Sequence, residues 1–227
     1  MNLRNNLKVL ILAIAVVMTL FSIYLALIYT PSHDTMGDNQ RIFYFHVSSA
    51  WVSYLAFAVT FFASLLYLKS KNLKWDMIAV SSAEIGIIFC TLAIITGSLW
   101  AKSIWGVFWR WEDIKLFITL VLWLVFIAYL ALRANVTSHK RKAGLSAVFA
   151  IIGFICVPLS FAANRIWQQY HPTVLVSSGG SLQASMAFAL FFTVFAFTFL
   201  YLYLLIAKID IGKMQEKIEQ IKQQIGG

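Results

Sequence analysis

Long apolar runs alternate with short polar segments along this chain, and six of the runs are long enough to cross a membrane as helices. They cover residues 9–29, 47–68, 77–99, 116–132, 143–163 and 181–207. A hydrocarbon core of about 30 Å takes roughly 20 helical residues. The pattern therefore predicts an all-α membrane protein, a bundle of six transmembrane helices with short helical segments on its outer face. The first run follows Arg4 and Lys8 as a signal peptide would, but it is too long for one and no small-x-small site follows Tyr29. It is read as an anchor. No internal repeat and no linker divides the chain, so residues 1–207 form a single membrane domain.

Within the runs, two residues break the pattern. Glu84 is the one charge inside them. One lone carboxylate makes no proton relay, and Glu84 is read as structural, hydrogen-bonding Ser or Thr on a neighbouring helix. Pro158 removes a backbone donor from the fifth run and predicts a kink there. Beyond the runs, Met214, Ile218, Ile221 and Ile225 share one helical face among Lys, Glu and Gln. The tail 208–227 is thus expected to form a short amphipathic helix against the membrane or a partner, two heptads being too few for a coiled coil.

Charge then orients the spans. Arg4, Lys8, Lys69, Lys71, Lys74, Arg133, Lys140, Arg141, Lys142, Lys208, Lys213, Lys217 and Lys222, thirteen of the eighteen Lys and Arg, fall on one side. Arg41, Lys102, Arg110, Lys115 and Arg165 fall on the other. Because basic loops stay inside, both termini are expected to be cytoplasmic. This placement also accounts for the net charge of +9 without nucleic acid, since the basic clusters adjoin apolar runs. With 61% hydrophobic and 12% charged residues, the chain falls far short of the roughly one-quarter charged content of soluble domains. Cys90 and Cys156 lie in separate apolar runs and are read as packing residues. The chain has no C-x-x-C-H and so is not itself a c-type cytochrome.

The unusual residues gather on the outer side. Its middle segment, 100–115, holds Trp100, Trp105, Trp109 and Trp111, half of the eight tryptophans. An interfacial aromatic belt is one reading, but a belt places rings at both membrane faces, and the inner loops hold only Trp75. The other reading is an aromatic platform. A short helix would set Trp105 and Trp109 one turn apart on one face, and Gly106 would let a flat ligand approach the backbone. Glu112 and Asp113 end it. His46 and His171 flank this segment in sequence, each among aromatics. They are either interfacial hydrogen-bonding residues or ligands that clamp a haem from two sides, neutral imidazole being a common haem-iron ligand. Arg41, Lys102, Arg110 and Arg165 would then face the propionates. His33 lies in a polar turn, and His139 lies on the inner side.

The run from Trp105 through Gly106, Val107, Phe108, Trp109 and Arg110 to Trp111 resembles the W-G-x-x-W-x-W-D signature of the haem-handling proteins of cytochrome c biogenesis. Length, six spans and the order His, tryptophan motif, His resemble the CcmC family over nearly the whole chain. The family's motif ends in Asp, where this chain has Glu112 and then Asp113. The resemblance implies His46 and His171 as axial ligands to the iron of haem b. It implies Trp105, Gly106, Trp109 and Trp111 as the platform, with Glu112 or Asp113 closing it. It further implies a bacterial cytoplasmic (inner) membrane with the site facing the periplasm. The partners it implies are a periplasmic haem chaperone, the ATPase and membrane subunits of an ABC transporter, and a small single-span protein. Haem binding and transfer, with no catalytic constellation, make the chain no enzyme. Two alternatives remain at this point, a haem lyase acting on apocytochrome and a small transporter unrelated to haem.

Overall fold

Each apolar run forms a helix in the computed structural model, which describes residues 3–32, 37–167 and 182–225. The order is α1 (Leu3–Tyr24), α2 (Gln40–Ser70), α3 (Leu73–Trp105), α4 (Ile114–Asn135), α5 (His139–Phe154), α6 (Cys156–Ile166) and α7 (Ala184–Ile225). A π turn over Leu25–Tyr29 extends α1, and Thr30 closes it by bonding the Leu25 and Ala26 carbonyls. With α5 and α6 forming one bent span, six helical spans among the described residues are long and apolar enough to cross a membrane.

The centre of the bundle is the antiparallel pair α2 and α3. Only Lys71 and Asn72 connect them. Lys71 adopts a left-handed φ of 55° and its N–H returns to the Tyr67 carbonyl at 2.7 Å, which ends α2. Asn72 then accepts the N–H of Lys74 at 3.0 Å and starts α3, satisfying a donor that a helix start leaves orphaned. Glycines on α3 let the two helices lie close. A methyl group on Gly86 would meet Phe57 at 2.7 Å, and one on Gly97 would meet His46 at 2.7 Å. Small residues serve this purpose in membranes, where packing rather than water exclusion joins helices.

Around this pair, α1 runs along α7, α7 lies against α2 and α3, and α4 packs on α5, α6 and α3. Buried polar groups join neighbours across the apolar interior. Ser82 donates to the Ala56 carbonyl at 2.7 Å and bonds Tyr201 at 2.8 Å. Trp123 donates to Thr91 at 2.8 Å.

The kink appears where the proline requires it. Pro158 has no N–H for the Phe154 carbonyl four residues earlier, and α5 ends at Phe154 before α6 resumes at Cys156. Cys90 is buried, Cys156 is half-buried, and both are free thiols. Two expectations change. Glu84 pairs with Lys208 of α7, not with a hydroxyl, because α7 extends far enough to bring an ammonium alongside. The amphipathic segment is not a separate short helix but the last part of α7, whose 42 residues span about 63 Å at 1.5 Å each. Gly212 does not interrupt α7, since it faces Met77 of α3. Ion pairs Lys8–Asp210 and Arg133–Asp76 join α1 to α7 and α4 to α3 at the same, basic end of the bundle.

Candidate functional site

At the opposite end, α2 carries His46 six residues after its start at Gln40, about 9 Å along the helix. The imidazole lies half-buried over α3. Its Nδ1 is 3.0 Å from the Ala93 carbonyl oxygen. A carbonyl only accepts, so Nδ1 carries the proton and donates. Nε2 is then the nitrogen with the lone pair, the arrangement found in metal-binding histidines whose other nitrogen is anchored. The Thr96 hydroxyl stands 3.5 Å from the same Nδ1. Trp100, one turn further along α3, has its ring centre 6.0 Å from that of His46. It also packs on Phe43 at 5.6 Å and belongs to a buried cluster with Leu25, Tyr44, Met186 and Leu190.

Beyond Trp100, α3 ends at Trp105. Gly106 takes a φ of 75° and its N–H caps the Lys102 carbonyl at 3.1 Å. That left-handed stop, for which glycine carries no steric cost, overturns the expected short helix over Trp105 to Trp109. Those two rings do not share a helical face. Instead Trp109 and Trp111 meet edge to face at 5.9 Å, and the Arg110 guanidinium lies 5.8 Å from the Trp105 ring centre. No described residue stands within 4 Å of where a Gly106 side chain would begin. Phe108 and Trp111 are exposed, at 55% and 69%, so the segment does present an aromatic surface.

The two carboxylates that follow are separated by their surroundings. Asp113 is 1% exposed and accepts the N–H of Leu116 at 3.0 Å, capping α4. Glu112 is exposed. Among the cations, Arg41 bonds Asp38 at 2.9 Å, and Lys102 donates to the Gly106 carbonyl at 2.8 Å. The Ser32 hydroxyl first, and Arg41 second, hold the Asp38 carboxyl below its ordinary range. His171, His33 and the side chain of Arg165 lie outside the described residues.

Sequence reasoning missed the residues that set His46. Trp100 was counted with the aromatic segment, but it is the floor beside the histidine. Ala93, Thr96, Gly97 and Trp100 recur at three- and four-residue intervals, which places them on one face of α3. Small residues at that spacing were the available signal.

Residues 1–224 match the family model described as CcmC, heme exporter protein C. The chain is 30% identical over 194 residues to heme exporter protein C of Bradyrhizobium diazoefficiens, covering 85% of this chain and 73% of that protein. It is 32% identical over 184 residues to a ccmC-like mitochondrial protein of cytochrome c biosynthesis from Marchantia polymorpha, covering 81% and 78%. Against heme exporter protein C of Escherichia coli K12 it is 32% identical over 148 residues, covering 63% and 58%.

Proposed function

The chain belongs to the heme exporter protein C family, and from that membership we propose that it holds haem b at the tryptophan end of the bundle and delivers it to a periplasmic haem chaperone. Its role in haem delivery for cytochrome c maturation follows from the family. The finer reading rests on one observation above all. The exposed aromatic surface of Phe108 and Trp111 follows the end of α3, the helix whose Ala93 carbonyl, twelve residues before that end, anchors His46 through Nδ1.

In this reading His46 and His171 are the axial ligands. Trp105, Gly106, Trp109 and Trp111 form the surface against which the porphyrin lies, and Glu112 is the acidic residue offered to the ligand or the acceptor. A neutral imidazole with its lone pair on Nε2 and an apolar aromatic surface suit a haem, which brings its own four equatorial nitrogens. Burying apolar ring surface contributes affinity at roughly 25 cal/mol per Å². An exposed edge of the ring remains for the chaperone to take.

The excess of Lys and Arg at the other end orients that end to the cytoplasm. The haem site then faces the periplasm from a bacterial inner membrane, with both termini inside. An ABC transporter, supplying an ATPase and a membrane subunit, and a small single-span protein complete the assembly, and ATP hydrolysis there drives release. This chain transfers haem without catalysing a reaction.

The test is the absorption spectrum of the detergent-purified protein, co-expressed with these partners. A Soret band with sharp reduced α and β bands, lost or shifted in both His46→Ala and His171→Ala, is the expected result. Absence of haem from the wild type, even with the chaperone trapped in complex, would overturn the reading.

A further inference from the structure

Where α2 crosses α3 at His46, the contact fixes an imidazole. Several groups of α3 act on the ring, and the Thr96 hydroxyl, 3.5 Å from Nδ1, already donates to the Leu92 carbonyl at 2.6 Å. The Ala93 carbonyl accepts a hydrogen bond from Nδ1–H at 3.0 Å. Gly97, one turn later, leaves the space the ring occupies, for a Cβ there would stand 2.7 Å from Cε1, 3.0 Å from Nδ1 and 3.6 Å from Nε2 of His46. Trp100 closes the third side at 6.0 Å between ring centres. In water imidazole favours the other tautomer, with the proton on Nε2, which cannot ligate a metal through that atom without losing it. From this geometry we infer that Gly97 and the Ala93 carbonyl are positioning groups that hold His46 as the Nδ1–H tautomer and present Nε2 as its iron-binding nitrogen. The inference rests on the haem reading above only in its second half.

Gly97 carries the inference because it is the part a side chain can alter. An added methyl collides with the far end of a side chain, not with backbone, so α2 and α3 can keep their places while the ring moves. Once displaced, Nδ1 loses its acceptor and the tautomer reverts. Gly86 supplies the matched control. It lies on the same helix at the same interface, and its methyl would meet Phe57 at an equal 2.7 Å, yet it is eleven residues away, about 16 Å along the axis. Loss of packing alone affects both variants. Loss of a tautomer affects only Gly97→Ala.

The experiment uses the full chain in nanodiscs, free of haem, with nitrogen-15 in its histidines. The His46 resonances are assigned by their absence from His46→Ala and recorded well above the imidazole titration range. Wild type and Gly86→Ala are expected to show Nδ1 protonated, and Gly97→Ala to show the Nε2–H form or a mixture. Haem titration of the same samples is expected to give about 10- to 100-fold weaker binding in Gly97→Ala, the usual effect of losing a second contact to a metal ligand. Gly86→Ala should bind as wild type. A wild-type His46 protonated on Nε2 overturns the inference, as does an unchanged tautomer in Gly97→Ala. If the tautomer behaves as described but His46→Ala binds haem undiminished, the haem reading of His46 fails while the positioning by α3 stands.

Discussion

The Asp113 carboxylate accepts the backbone N–H of Leu116 at 3.0 Å, and this bond separates it from the exposed Glu112 beside it. Two adjacent acids thus have different duties, one closing the start of α4 and one facing outward. Removing an N-cap costs about 1 kcal/mol. Asp113→Ala is therefore expected to lower the melting temperature in detergent, and Asp113→Asn to restore most of it. Glu112→Gln is expected to leave melting unchanged while slowing haem transfer to the chaperone. A melting loss in Glu112→Gln with none in Asp113→Ala would reverse the assignment.

Tryptophans of the same segment divide in a similar way. Trp100 is 9% exposed and Trp111 is 69% exposed. Trp100→Ala empties a packed site, a change that costs about 3–5 kcal/mol, and should appear mainly as instability. In the proposed site, Trp111→Ala removes a surface that the porphyrin would cover. If about 100 Å² is covered, roughly 2.5 kcal/mol of affinity is lost, a factor of several tens in Kd. Haem titration and thermal melting of both variants distinguish these outcomes. Equal haem affinity in Trp111→Ala and wild type would remove that ring from the site.

At the bend between α5 and α6, Pro158→Ala restores an N–H that reaches for the Phe154 carbonyl. Straightening carries Ser160 away from Tyr54, whose hydroxyl groups lie 2.8 Å apart. Spin labels placed on α2 and α6 should report a changed separation. An unchanged distance would mean that packing, not the missing donor, maintains the bend.

The spans were legible because an apolar run of about 20 residues has few alternatives to a membrane helix, and Pro158 marked its own kink for an equally local reason. What stayed hidden depended on contacts between distant segments or on a single dihedral. Gly106 ends α3 by adopting a φ of 75°, and a glycine in a sequence is as compatible with close ligand approach as with a helix stop. Asp113 and Glu112 differ only in which one the chain buries. Glu84 meets Lys208 because α7 continues past the apolar run that defined it; the tail's own helix shows in its apolar face, but its continuity with the span does not. His46 was found as a residue, but the carbonyl that orients it lies 47 positions away. The motif could be recognised without showing that its rings leave the helix at Trp105.

Arg133 and Asp76 join the last turn of α4 to the first turn of α3 through two bonds of 2.6 and 2.9 Å. The side chains are 13% and 15% exposed. Each charge also suits its own helix, an anion at an N-terminus and a cation at a C-terminus. Fully exposed pairs contribute under about 1 kcal/mol, whereas breaking a buried pair costs about 3–5 kcal/mol because one charge is left uncompensated. This pair lies between, so Asp76→Ala should cost on the order of 2 kcal/mol. Adding Arg133→Ala to it should cost less than the two single effects combined. The exchange Asp76→Arg with Arg133→Asp restores the attraction but sets both charges against their helix ends, and should recover only part of the loss. A double-mutant cycle read by thermal unfolding measures the coupling. Strictly additive single effects would show that the two bonds contribute nothing beyond side-chain packing, and full recovery in the exchanged pair would eliminate the helix-end term.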